Sequence, residues 1–270
     1  MSTTINKGMV DWTINGIRID NSIKSNPANY NNCSSREVSY IVIHYTGNPK
    51  DSAKSNAIYF KNGSRSASAT FFCDEENICQ SVELRDSAWH CGCSKGYKTA
   101  CRNVNSIGIE MCTSGNYIVS EKTQINSAYL CAKLCEIVGI SASTVDKYVL
   151  RHYDVVATNK KCPAQFVDNT EQWIRFKTWV KNILQTGSHE KSSNSTTTTN
   201  SSTTPPSKNF KVKVITKELN IRSGAGTKYN VVGSIKDKGT YTITKTSGNW
   251  GYLKSGTGWI NISSSYVKKI

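Results

Sequence analysis

The sequence predicts an α/β domain, with a central mixed sheet flanked by helices, joined to a separate small all-β barrel. Three observations carry this expectation. Between residues 37 and 184, short apolar runs alternate with segments of helical spacing, the interleaving expected of strands and helices layered on one sheet. From 210 to 270 the alternation is by twos, which turns one face of each short strand inward. Between them lies "QTGSHEKSSNSTTTTNSSTTPPSKN", residues 185–209. It has almost nothing to bury, so a flexible linker is expected. The expected division is a first domain at residues 1–185, a linker at 186–209 and a barrel at 210–270.

Each element has its own signal. "EVSYIVIHYTG" (37–47) is an apolar run stopped by glycine, as in a buried strand. "DSAKSNAIYFKNG" (51–63) is a helix, with Asp51 as the expected N-cap and a glycine stop. "ASATFFCDEENICQSVE" (67–83) is two short strands about the polar turn Asp74–Asn77. "NSIGIEMC" (105–112) is another strand. "TQINSAYLCAKLCEIVGI" (123–140) has apolar residues at 125, 130, 134, 137 and 138 and ends at Gly139, so it is a helix. "KYVLRH" (147–152) is a strand, and "NTEQWIRFKTWVKNIL" (169–184) an amphipathic helix. Downstream, "KVKVI", "LNIR", "NVVGSI", "TYTITKT", "WGYLK", "GWINI" and "YVKKI" are six or seven strands separated by Gly-bearing turns.

Charge and cysteine usage narrow the partners. Residues 1–185 carry 21 Lys/Arg against 16 Asp/Glu, and residues 186–270 carry 13 against 3, a net of +10. So basic a module suits a polyanion: nucleic acid, anionic lipid or the anionic polymers of a bacterial wall. No apolar run reaches the ~20 residues that span a bilayer, so membrane insertion is not expected. The opening "MSTTINKGMVDWTING" has no basic region followed by an apolar stretch, so an export signal is not expected and a cytoplasmic origin is. All ten cysteines precede residue 163. In a reducing compartment they read as small buried hydrophobes, with one or two ligands among them. Cys91, Cys93 and Cys101 share a loop but lack the CxxC…CxxC spacing of a zinc ribbon. Nothing calls for an oligomer, so a monomer is expected.

The chemistry concentrates in "YVLRHYDVVATNKKCPAQF", residues 148–166. Two expected buried strands end in histidine, His44 after Ile43 and His152 after Arg151, and Cys162 follows on a loop. Two imidazoles and a thiolate make a three-ligand set for Zn2+, with a fourth position open to water. The same residue types also allow a Cys/His pair with Cys162 as nucleophile, or two core histidines and an inert cysteine. Glu110 lies inside an apolar strand, where a carboxylate is costly unless paired or at a cleft. Lys160 stands two residues before Cys162. A zinc hydrolase needs a base for the water proton and a cation for the oxyanion, and these two residues are of the right types. Otherwise Glu110 faces solvent and Lys160 is an ordinary loop charge.

In order and spacing, "VIHYTG", "AWHCG", "SIGIEMC" and "LRHYDV…KKCP" resemble the zinc-dependent N-acetylmuramoyl-L-alanine amidases, over roughly residues 35–185. That family includes phage lysins and is related to the peptidoglycan recognition proteins. The resemblance implies that His44, His152 and Cys162 bind Zn2+ and that Glu110 is the catalytic acid/base. It places Lys160 on the oxyanion side, with Lys161 as a neighbour that confuses the register. It places Trp89 and His90 along the substrate cleft, with Cys91 where the family pattern has alanine. Some members carry a tyrosine on the strand after the first helix. Here "SATFF" places Phe71 there, and a phenyl ring has no proton to give, so the burden falls on Glu110. "LNIRSGAGTKYNVVGSI" and the later "GWI" resemble a bacterial SH3-type (SH3b) domain, usually wall-binding. Trp250, Tyr252, Trp259 and Tyr266 are candidate groove contacts, at least half of which are expected to fill the small core.

Together these resemblances imply an endolysin that cuts the amide between N-acetylmuramic acid and L-alanine of the stem peptide. The implied partners are peptidoglycan and anionic wall polymers, with synthesis in a host cytoplasm and release at lysis. Nucleic acid is not expected, since the basic module has no aromatic RNP or helix-turn-helix signature. Two other readings stand: a non-catalytic peptidoglycan-binding protein on this scaffold, and a Cys/His peptidase using Cys162.

Overall fold

A computed structural model describes residues 2–189, 210–222, 224–227, 229, 231–247, 249–255 and 257–270. The chain divides into two compact units, Met1–Ser195 and Thr196–Ile270. Most of the expected linker, residues 190–209, lies outside the described residues.

In the first unit the elements run β1 (Tyr40–Tyr45), α1 (Ala53–Lys61), β2 (Phe71–Cys73), β3 (Ile78–Gln80) and β4 (Ser106–Met111). They continue through α2 (Glu121–Val138), α3 (Val145–Tyr148), β5 (Val149–Arg151), α4 (His152–Val155), α5 (Ala164–Asp168) and α6 (Thr170–Thr186). The sheet order is β5-β1-β4-β2-β3. The first four strands are parallel and β3 returns antiparallel to β2, so the sheet is mixed. Ile41, Val42 and Ile43 of β1 are all fully buried, as they are when both faces of a parallel sheet are covered.

The flanking helices close the core. Ser120 caps α2 by accepting from the Thr123 N–H, and Gly139 ends it with φ 81°, a left-handed conformation that favours glycine. The Asn169 side chain caps α6 by accepting from the Glu171 and Gln172 N–H groups. This helix buries Trp173, Phe176 and Val180, three residues on one helical face. They join Ile41, Ile43, Phe71, Ile109 and Leu130 in the main core.

Two local expectations change. The cap of α1 is Ser52, whose hydroxyl accepts from the Ser55 N–H while the Ser55 hydroxyl accepts from the Ser52 N–H. Asp51, the expected cap, instead ties loops together: it accepts from the Thr113 N–H and from the side-chain amides of Asn48 and Asn56, each at 2.8 Å. The last strand is also shorter than expected, so His152 opens α4 rather than ending β5.

The second unit contains β6 (Phe210–Val214), β7 (Leu219–Arg222), β8 (Val231–Ile235), β9 (Thr240–Ser247), β10 (Trp250–Leu253), β11 (Trp259–Asn261) and β12 (Val267–Lys269). They form one antiparallel sheet in the order β8-β7-β11-β10-β9-β6-β12. Gly258 has φ 144°, and a Cβ there would fall 2.6 Å from the Arg222 carbonyl oxygen, so only glycine fits. The core is aliphatic: Val212, Val214, Leu219, Ile243, Leu253 and Ile260 among others. This corrects the expectation that at least half of the four candidate aromatics fill it. Trp250, Tyr252 and Trp259 are only half-buried and Tyr266 is exposed, while Tyr252 and Trp259 pack ring on ring at 5.3 Å. Among the described residues, no helix is long and apolar enough to cross a membrane.

Candidate metal centre

Three neighbouring strands deliver their polar residues to one place. The parallel register sets Glu110 of β4 beside His44 of β1, and Ile43 of β1 beside Arg151 of β5. The residue that follows Arg151 is therefore brought next to His44, at the carboxyl ends of the strands where α/β sheets bind ligands. The His44 and His152 ring centroids are 4.7 Å apart. The Arg151 guanidinium pins this corner. It donates to both Asp154 carboxylate oxygens, at 3.0 and 2.7 Å, and to the Phe166 carbonyl at 2.9 Å. The Tyr153 N–H donates to the Cys162 carbonyl at 2.9 Å, which returns the loop and its thiol to the two imidazoles.

His44, His152 and Cys162 are all buried, and their ligand atoms lie within 4.8 Å of one another. His44 Nδ1 is 3.8 Å from Cys162 Sγ and 3.8 Å from Glu110 Oε1. Both ring nitrogens of His152 are buried without a hydrogen-bond partner, and so is Glu110 Oε2. Each unpartnered buried polar group costs about 1–3 kcal/mol, and three in one cluster mark a place built for something besides protein. A metal ion fits that vacancy of partners: two neutral imidazoles and a thiol are a zinc-type donor set.

A second trio, His44, His90 and Cys91, is equally compact, but protein hydrogen bonds already fill it. His44 Nε2 meets His90 Nδ1 at 2.9 Å, and Cys91 Sγ lies 3.2 Å from the same nitrogen. At 2.9 Å two nitrogens share a proton, and no ion enters between them.

Electrostatics set the protonation states. Burial holds His44 well below the usual histidine range, with His152, His90 and Lys160 adding to the effect. Burial and then Lys160 bring His152 down to about 4. Both rings are neutral near pH 7 and carry the lone pairs a ligand needs. Burial pushes the Cys162 thiol up to about 12, and Glu110 adds to it. An unaided nucleophile needs a lowered thiol pKa, so this environment opposes the Cys/His peptidase reading. Coordination, by contrast, deprotonates a thiol outright. Burial raises the Glu110 carboxyl to about 8, against the pull of Lys160 and with a smaller push from Asp51.

The site opens into a cavity of about 830 Å³ lined by His44, Glu110, His152, Lys160, Lys161 and Cys162. The two lysines differ. Lys161 is exposed and paired with Asp168 at 2.6 Å. Lys160 is the one whose charge reaches Glu110, His44 and His152. Trp89 and His90 both line the cavity, with Trp89 half-buried and the His90 ring turned onto His44. Phe71 does not reach it. Phe71 is in the main core, and Phe72 pairs in register with Glu110 and faces the cavity. Asn48, Ser55, Tyr59 and Phe60 also line it. The sequence reading missed them, although all follow within sixteen residues of His44 in the β1–α1 segment, where loops at strand ends carry binding residues.

A buried two-imidazole, one-thiol cluster stands beside a carboxyl and an ammonium at the mouth of a cleft in an α/β sheet, a donor set that suits a metal ion with an open position. Comparison with known proteins makes the class particular. Residues 34–165 match the N-acetylmuramoyl-L-alanine amidase family and residues 217–268 the bacterial SH3 domain. N-acetylmuramoyl-L-alanine amidase CwlL of Bacillus licheniformis is 31% identical over 163 residues, which are 57% of this chain and 43% of that protein. A probable N-acetylmuramoyl-L-alanine amidase of the same organism is 32% identical over 175 residues, covering 62% of this chain and 48% of its own length. A mutant endolysin from Bacillus subtilis superimposes with a TM-score of 0.50 at 27% identity, over 61% of this chain and 99% of that one. The chain thus spans less than half the length of these curated relatives. It contains an N-acetylmuramoyl-L-alanine amidase domain at residues 34–165 and a bacterial SH3 domain at residues 217–268.

Proposed function

We propose that this protein is a zinc-dependent peptidoglycan hydrolase that cuts the amide between N-acetylmuramic acid and the L-alanine of the stem peptide. The observation that carries the reading is the buried trio of ligand atoms within 4.8 Å, with both His152 nitrogens unpartnered. His44, His152 and Cys162 would hold the ion. When bound, zinc supplies Lewis acidity, which activates water near neutral pH and polarises a carbonyl. Glu110 accepts the proton of the attacking water and passes it to the leaving amine, with a pKa near the working pH as an acid/base group requires. Lys160 sets its ammonium toward the oxyanion that develops at the scissile carbonyl. Trp89 and the β1–α1 segment wall the cleft against which sugar and peptide lie. Chelation should abolish the clearing of a peptidoglycan suspension, and added Zn2+ should restore it; lysis that survives complete metal removal would overturn the reading.

Lys160→Ala should leave zinc content unchanged and lower kcat by about 10²- to 10³-fold, the usual cost of losing an oxyanion donor. Lys161→Ala breaks only an exposed ion pair, worth about 0–1 kcal/mol, and should keep near-full turnover. The reverse outcome would shift the lysine register by one.

The division of labour is part of the proposal. Residues 1–185 are read as the catalytic unit, 186–209 as the linker and 210–270 as the wall-binding unit, with synthesis in a host cytoplasm and release at lysis. A chain ending at His189 keeps the Gly187 helix stop and the packing of His189 on Tyr129 and Trp179. It should cleave soluble muropeptides at the full-length rate. Against intact walls it should be slower, because tethering and the basic tail raise local substrate concentration. Residues 208–270 alone should bind walls without clearing them. Binding should weaken as salt shortens the Debye length below ~8 Å and persist in part at high salt. No binding at any ionic strength would remove the targeting role.

A further inference from the structure

The second imidazole pair of the site has a direction built into it. His90 is buried behind His44, 46 residues away in sequence, with its Nδ1 2.9 Å from His44 Nε2. Its other nitrogen, Nε2, lies 3.2 Å from the Ser106 hydroxyl, and that hydroxyl donates to the Arg102 carbonyl at 2.6 Å. A carbonyl only accepts, and a hydroxyl has one proton. At 2.6 Å the Ser106 proton therefore points at Arg102, and the Ser106 oxygen must accept from His90. A neutral imidazole has one N–H. His90 spends it on Ser106, so its Nδ1 accepts the proton of His44 Nε2. The remaining nitrogen of His44, Nδ1, is then a bare lone pair, and it is the atom that faces Cys162 and Glu110.

We infer that His90 is the positioning residue for His44: the one-way relay from His44 through His90 and Ser106 to the Arg102 carbonyl locks His44 as the Nε2–H tautomer and aims its Nδ1 at the metal-holding cluster. The inference rests on the reading of His44, His152 and Cys162 as that cluster. A separate feature of the fold supports it. A Cβ at Gly108 of β4 would fall 2.8 Å from His90 Cγ and 2.9 Å from Nδ1. The ring lies against bare backbone, which is a physical reason for a glycine inside a strand where it otherwise weakens the sheet. His90 thus acts through another residue, although it also borders the cleft.

Two measurements on the full-length protein test this. The first is long-range 1H–15N correlation on the metal-free wild type, which reads the tautomer of His44 directly. The expected result is a single Nε2–H form; an Nδ1–H form would overturn the relay whatever the protein binds. The second is Zn2+ affinity by competition with a chromophoric chelator. His90→Leu should weaken it by about 10- to 100-fold, the usual cost of losing an orienting partner. His90→Asn, whose side-chain oxygen stands near the Nδ1 position and accepts from His44, should recover most of that loss. Gly108→Ala should mimic His90→Leu by displacing the ring. Wild-type affinity in a folded His90→Leu protein would overturn the inference. Failure of the wild type to bind Zn2+ would instead sink the metal reading, and the tautomer spectrum would still decide the relay.

Discussion

His152→Ala should reduce zinc to well below one equivalent and wall lysis to background, with the fold retained. The His152 ring is buried in the first unit with both nitrogens unpartnered, so its removal forfeits no protein hydrogen bond. A ring kept only for packing would cost stability on truncation and leave metal content untouched. Cys162→Ser should behave alike, because an alcohol is a poor replacement for a thiolate toward zinc and two imidazoles alone hold the ion weakly. His44→Ala should lose zinc too, and it also strands His90 without its 2.9 Å partner, so it should be the least stable of the three. Inductively coupled plasma metal analysis with a thermal melt separates these effects. Stoichiometric zinc in any one variant would remove that residue from the ligand set.

Glu110→Gln should keep full zinc and lose about 10²- to 10⁴-fold in turnover, the range associated with a positioned acid/base group. The amide is nearly isosteric and cannot take the proton. The same change should stabilise the metal-free protein, in a pH-dependent way. Burial raises the Glu110 pKa in the folded chain from its ordinary 4.5 to about 8. Between those values the folded state holds a proton that the unfolded state has released, so stability falls as pH rises across that window. Near pH 5 wild type and Glu110→Gln should melt together. By pH 8 the variant should be ahead by an amount on the order of a few kcal/mol, each worth about 2–4 °C in melting temperature. The buried histidines work oppositely: His152 and His90, at about 4 and about 3, charge more easily once unfolded, so both proteins should lose stability as pH drops below about 6.5. A melting advantage that does not grow with pH would mean that Glu110 is solvated and not poised for proton transfer.

The sequence exposed His44, His152 and Glu110 because a polar residue at the end of an apolar strand is conspicuous, and Cys162 because it follows so closely. Their convergence depends on the register of β5, β1 and β4, which an apolar pattern does not specify for parallel strands. What stayed hidden has the same cause at smaller scale. Phe71 and Phe72 are adjacent, and a one-residue difference in a strand swaps the face, so an apolar pattern does not tell the core-facing ring from the site-facing one. The bond from His44 to His90 joins segments 46 residues apart and has no local signature; Gly108 is its trace in the sequence, legible only once the ring is seen against it. Asp51 and Ser52 are both good helix caps, and the bonds of Asp51 to distant Thr113 and to Asn56 within α1 decide between them. In the small second unit the short aliphatic strands suffice to fill the core, which leaves Trp250, Tyr252, Trp259 and Tyr266 toward the surface.

The most direct test of the account is mass spectrometry of purified peptidoglycan digested by protein of known metal content. Zinc-loaded protein should release stem peptides with a free N-terminal L-alanine and leave intact glycan strands, in proportion to the zinc bound, and the chelated protein should release none. New reducing sugar ends, new amino termini on any other residue, or the same products from metal-free protein would contradict it.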